Sequence, residues 1–220
     1  MSNDVFLFRH TRKLDGFLEG RTMNHSTSFI YNPSALVLSV AALLAIINFA
    51  CSKAEKTISP NDRGTAMTIK IISPSFADGQ SIPPKYTCDG ENLSPRLSWD
   101  QVPQGAKTLT LICDDPDAPA GTWVHWVLYD LPAISKELPE AVEAKAELAN
   151  GAKQGRNDFK QIGYGGPCPP KGGPHRYYFK LYALDRQLDL TSGATAKEVQ
   201  EAMNGHIVGE GKLMGTYKRK

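Results

Sequence analysis

Alternating apolar and polar positions, bounded by turn residues, mark a series of short strands in the later part of the chain. Thr68–Ile72 alternates briefly and stops at Ser73-Pro74. Residues 79–96 carry Pro83, Pro84, Gly90 and Pro95 and read as an extended loop region, followed by a short strand at Leu97–Trp99. Thr108–Cys113 (TLTLIC), Thr122–Leu131 (TWVHWVLYDL) and Arg176–Leu184 (RYYFKLYAL) are the stronger strand signals, rich in β-branched and aromatic residues. Helical periodicity occurs at Thr195–Val208, where Thr195 and Glu198 form a capping-box pair. Ala196, Val199, Met203 and Ile207 would share its apolar face. Lys212–Tyr217 reads as a closing strand. The pattern predicts a mostly β fold, an antiparallel β-sandwich with one or two short helices.

The first part of the chain follows different rules. Thr22–Ser52 contains no Asp, Glu, Lys or Arg, and Ala35–Ala50 (ALVLSVAALLAIINFA) is almost wholly apolar. As a helix those residues span only about 24 Å, short of a ~30 Å hydrocarbon core. The length suits the apolar region of a signal peptide. Arg9, Arg12, Lys13 and Arg21 precede it, Cys51 follows small Ala50, and Ser52–Thr65 reads as a tether. This resembles a bacterial lipoprotein signal, which implies lipidation at Cys51 and a membrane-anchored protein of the cell envelope or periplasm. Asn48 stands where such signals usually carry Leu. The alternatives are an uncleaved anchor, or a cytoplasmic protein translated from Met67. The expected organisation is therefore residues 1–66 as a signal-like segment and residues 67–220 as one domain.

That domain carries 18 basic and 18 acidic residues, and the whole chain has a net charge of +2. Neither value suits a protein that binds nucleic acid through bulk charge. Four scattered cysteines with no C-x-x-C pair give no disulfide scaffold and no zinc signature. Cys113, in an apolar strand, is expected to be buried and inert.

Strand parity selects the candidate chemistry. It places Trp123, His125, Val127 and Tyr129 on one side of their strand, and His175, Tyr177 and Phe179 on one side of theirs. Arg176, Tyr178 and Lys180 then face the other way. Asp115 and Asp117 sit two residues apart in a proline-stiffened loop (DPDAP), and Gly163–His175 is a Gly/Pro loop that delivers His175. Two Asp, two His and a Tyr beside glycine-rich backbone suit an anion or a zwitterionic phosphate ester. A metal is the weaker reading, and no cofactor is expected.

Several motifs together carry a resemblance across residues 67–220. They are YTCDGENLSP (Tyr86–Pro95), DDPDAP (Asp114–Pro119), GTWVHWVLYDLP (Gly121–Pro132), GAKQGRNDF (Gly151–Phe159), YGGPCPPKGGPHRYYFKLYAL (Tyr164–Leu184) and GEGKLMGTY. The domain resembles the phosphatidylethanolamine-binding protein family in its bacterial and archaeal Raf-kinase-inhibitor-like branch. The resemblance implies a large antiparallel sheet packed on a smaller one. It also implies an anion pocket lined by Asp115, Asp117, His125, His175 and Tyr177, with backbone from Gly166–Pro170. It implies a non-catalytic binding protein for phosphate-ester or phospholipid head groups, which inhibits or regulates a protein partner such as a kinase or peptidase. A homodimer is a further implied partner. The alternative is a hydrolase of phosphoester or peptide bonds using the His/Asp cluster; no nucleophile paired with a histidine supports it, although Cys168 lies in the pocket loop. The sharp reversal at DPDAP, together with the resemblance, makes Ala118–Pro119 a candidate cis peptide. Cys88 and Cys168 lie in motif loops and are candidates to pair; the reading preferred on sequence leaves them as two unpaired thiols.

Overall fold

The computed structural model describes residues 66–219. Residues 1–65, and with them Cys51 and the expected signal-like segment, lie outside the described residues.

Nine strands form two sheets. The larger runs in the order β1 (Met67–Thr68), β9 (Ile207–Tyr217), β8 (His175–Leu184), β4 (Thr108–Asp115), β5 (Trp123–Pro132), β7 (Lys153–Gln154). The smaller is β2 (Lys70–Ile72), β3 (Leu97–Asp100), β6 (Glu137–Leu138). All pairings are antiparallel except β1 with β9. The mostly β, antiparallel sandwich expected from the sequence is thus the observed fold.

Thr68–Ile72, read as one strand, is divided between the two sheets. Thr68 pairs with β9 and Lys70 with β3, so the chain changes sheet at Ile69. Ile69 N–H donates to the Glu210 carbonyl, and its own carbonyl lies so close to Gly211 that no Cβ would fit there.

β4 and β5 are apolar on both faces because both faces are covered. On one side Leu109, Leu111, Trp126 and Leu128 meet Ile71, Leu97, Trp99 and Leu138 of the smaller sheet. On the other, Ile112, Val127 and Tyr129 meet α1 (Ala196–Met203) through Val199 and Met203. This double burial explains the unbroken TLTLIC run, whereas β8, between β9 and β4, keeps a buried/half-exposed alternation.

The capping box forms as expected: Thr195 Oγ1 accepts from Glu198 N–H, while the Glu198 carboxylate accepts from Thr195 N–H. The helix is shorter than the periodicity predicts. It ends at Met203, where Asn204 takes extended backbone and Gly205 a positive φ of 80°. Ile207, expected on the helix face, instead begins β9 and is exposed.

Candidate functional site

β4 and β8 run side by side, so the ends of the DPDAP and Gly/Pro loops meet at one end of the large sheet. Between them lies a cavity of about 340 Å³. Asp115, His125 and His175 give it a polar side, and Trp123, Phe159, Ala118, Pro119 and Pro170 form an apolar collar.

His125 reaches the cavity through an irregularity. Cys113 of β4 pairs with Trp126 and Asp114 with Val124, so His125 is an extra residue opposite one step of β4. The resulting β-bulge turns His125 and Trp126 toward the same layer. The parity expected for β5 therefore fails beyond His125: Val127 and Tyr129 pack under α1, on the opposite face of the sheet.

Hydrogen bonds fix both imidazoles. His175 Nδ1 lies 2.8 Å from Asp115 Oδ2. His125 Nδ1 donates to the Gly165 carbonyl at 2.6 Å, and Gly165 N–H donates back to the His125 carbonyl. Burial holds His125 below its ordinary pKa against the opposing pull of the Gly165 backbone and the Asp115 carboxylate. The ring stands edge-on to Phe159 and Tyr177. Tyr177 is fully buried behind it, with a hydroxyl that has no hydrogen-bond partner. Burial first, and the Asp115 carboxylate second, push that phenol far above its usual pKa.

Of the residues nominated by sequence, Asp115, His125, Pro170 and His175 line one cavity, with Tyr177 against His125. Asp117 does not join them. Its carboxylate takes Arg176 in two guanidinium hydrogen bonds of 2.6 and 2.9 Å, and Arg176 projects from the opposite face of β8 to His175. The Arg176 hydrogen bonds lower the Asp117 pKa to about 2. The two carboxylates part because Asp115 Oδ1 accepts the Asp117 N–H, closing an Asx turn that aims the second side chain outward. Nor is Ala118–Pro119 cis, since no cis peptide occurs among the described residues. The reversal is made by Gly121, which donates its N–H to the Ala118 carbonyl at a φ of 99°.

Gly166 contributes closeness. A Cβ there would collide with the Tyr86 carbonyl and Asn92 Oδ1, the latter accepting Gly166 N–H at 2.7 Å. Beside it, Cys88 and Cys168 form a disulfide with Cα atoms 5.3 Å apart. This corrects the unpaired reading: the loops are already held together by Cys88 N–H on the Pro167 carbonyl and Tyr164 Oη on the Tyr86 carbonyl. Cys113 is the free cysteine among the described residues, and burial drives its thiol pKa well up.

Sequence reasoning gave GAKQGRNDF no role, yet its Phe159 lines the cavity and its Gln154 and Asn157 tie the neighbouring loops together. Gln154 accepts from Trp126 Nε1 and donates to the carbonyls of Glu143 and Lys145. Asn157 Nδ2 donates to the Gly163 carbonyl at 3.0 Å, and Phe159 closes the collar against Trp123. A polar run between strands, without periodicity, was the signal. Among the described residues no group of three or more His, Cys, Asp or Glu is arranged to hold a metal ion.

A family model described as phosphatidylethanolamine-binding protein matches residues 72–218. The chain is 56% identical over 145 residues to a UPF0098 protein of Methanothermobacter thermautotrophicus, covering 66% of this chain and 95% of that one. A UPF0098 protein of Aquifex aeolicus is 50% identical over 153 residues, covering 69% and 89%. Among solved structures, a putative phosphatidylethanolamine-binding protein homolog, CT736 from Chlamydia trachomatis, is 42% identical with a TM-score of 0.63, covering 71% of this chain and all of that one. E. coli YbcL, described as a new member of the mammalian PEBP family, is 32% identical with a TM-score of 0.64, covering 69% and 99%.

Proposed function

The chain belongs to the phosphatidylethanolamine-binding protein family, and on that premise we propose that its cavity is a binding site for the anionic head of a phosphate ester, without catalysis. One observation carries the reading: two imidazoles, each held by its Nδ1, stand at one small cavity with an apolar collar. In its protonated form the Asp115-paired imidazole would supply a charge-assisted donor for an oxyanion, and the collar seats a short substituent. Binding is favoured over hydrolysis because the sulfur nucleophile at the cavity, Cys168, is consumed in a disulfide. The same disulfide supports an oxidising compartment, in keeping with the export expected from the N-terminal segment.

Native mass spectrometry of protein purified from its own host, followed by titration calorimetry with phosphoethanolamine, tests the reading. His175→Ala is expected to weaken binding by about 1.5–3 kcal/mol, the scale of one hydrogen bond to a charged group. Unchanged affinity in that variant would remove the site assignment.

A further inference from the structure

In a neutral imidazole one nitrogen donates and the other accepts, so the partner of the first fixes the role of the second. His125 Nδ1 faces the Gly165 carbonyl, which can only accept. Nδ1 therefore holds the proton, and Nε2 of the neutral ring is a lone pair. No hydrogen bond within the described residues engages that Nε2, and the ring lines the cavity. The charged or titratable groups facing the ring are Asp115 from β4, Asp158 from the loop after β7 and Tyr177 from β8. Burial outweighs the attraction of the two carboxylates and lowers the ring's pKa, which favours the neutral form.

The carboxylate of the cavity is not a free acceptor. Both oxygens of Asp115 are engaged, one by Asp117 N–H and the other by His175 Nδ1. Trp123 Nε1 is a buried donor with no partner. A sulfate or a phosphodiester brings acceptor oxygens alone and would set one of them against the His125 lone pair. A singly protonated phosphate monoester brings both kinds of group: P–OH for the His125 lone pair, and ionised oxygens for the Trp123 Nε1 donor.

Building on the anion reading above, we propose that the cavity selects singly protonated phosphate monoesters over sulfate and over phosphodiesters, with His125 Nε2 accepting the P–OH proton. A free head-group monoester fits this pattern; an intact diacyl phospholipid, whose phosphate is a diester, does not.

Titration calorimetry of the full chain at pH ~6, near the second pKa of a phosphate monoester, compares methyl phosphate, sodium sulfate and dimethyl phosphate. Methyl phosphate is expected to bind about ten- to a hundredfold tighter than either competitor, the scale of one hydrogen bond to a charged group. Equal affinity for methyl phosphate and either competitor overturns the selectivity and leaves the anion pocket standing. No binding of any of the three overturns both. In a folded His125→Gln variant, whose amide can turn a donor toward the ligand, the gap is expected to close to within about threefold; a preserved gap overturns the assignment to His125.

Discussion

Breaking the Cys88–Cys168 bond is expected to destabilise the domain strongly while leaving its ligand affinity almost unchanged. The two cysteines are 80 residues apart in sequence. Chain-entropy theory assigns a closed loop of that length about 15 cal/mol/K, or ~4.5 kcal/mol at 25 °C. That figure is an upper bound, because residual structure in the unfolded chain reduces the entropy gained. The native state loses little, since Tyr164 Oη to the Tyr86 carbonyl, Gly166 N–H to Asn92 Oδ1 and Cys88 N–H to the Pro167 carbonyl all remain. Both cysteines are exposed, so a reductant reaches the bond without unfolding. For a domain of about 150 residues, each kcal/mol moves the midpoint by roughly 2–4 °C, so the melting temperature is expected to fall by about 9–18 °C. Urea unfolding with and without reductant measures it, with Cys88→Ala/Cys168→Ala as the non-reducible control. Coincident curves would refute the loop-entropy argument. A loss of anion affinity beyond about threefold in the reduced, folded protein would refute the claim that hydrogen bonds alone hold the wall.

Asp117→Asn is expected to leave anion affinity within about twofold while breaking the Arg176 pair, because that carboxylate points away from the cavity; calorimetry beside His175→Ala separates the two carboxylate roles. Gln154→Ala strips partners from Trp126 Nε1 and two loop carbonyls in the interior. It is expected to cost about 2–4 kcal/mol by urea unfolding, two or more unsatisfied groups' worth, and a loss below ~1 kcal/mol would contradict that. His125 titrates below its ordinary 6.5 in the folded protein. The unfolded chain therefore binds the proton first, and stability is expected to decline as pH falls below about 6.5. His125→Phe is expected to flatten that part of the urea-midpoint profile, and an unchanged slope in the folded variant would remove His125 as the source. Asp117 acts in a separate window: its folded pKa of about 2 against 3.8 makes its contribution present above 3.8 and lost as pH falls toward 2.

The three long strands were legible because each joins β-branched and aromatic residues to a proline or glycine stop, and burial on both faces only strengthens that signal in β4 and β5. Two-residue strands such as β6 and β7 have no period to detect; tertiary packing creates them. The start of α1 was written in its capping box, whereas its end depended on Asn204-Gly205, a turn signal that the apolar spacing through Ile207 masked. The disulfide was not legible, because pairing across 80 residues is set by how two loops dock and not by any local feature.

The site divides in the same way. Asp115 and His175 follow from local backbone, one from an Asx turn and the other from the first residue of a regular strand. His125 does not, because alternation predicts direction only while the ladder stays in step. One extra residue between Val124 and Trp126 reverses the face of the residues that follow, until a second irregularity before Leu131 resets it. That slip lets β5 send His125 and Trp126 to one layer and still bury Val127 and Tyr129 under the helix. A regular strand would have had to give up either the imidazole at the cavity or one of the two packed faces. The departure from alternation is therefore the feature that places a neutral, Nδ1-bound histidine where a ligand can meet its Nε2.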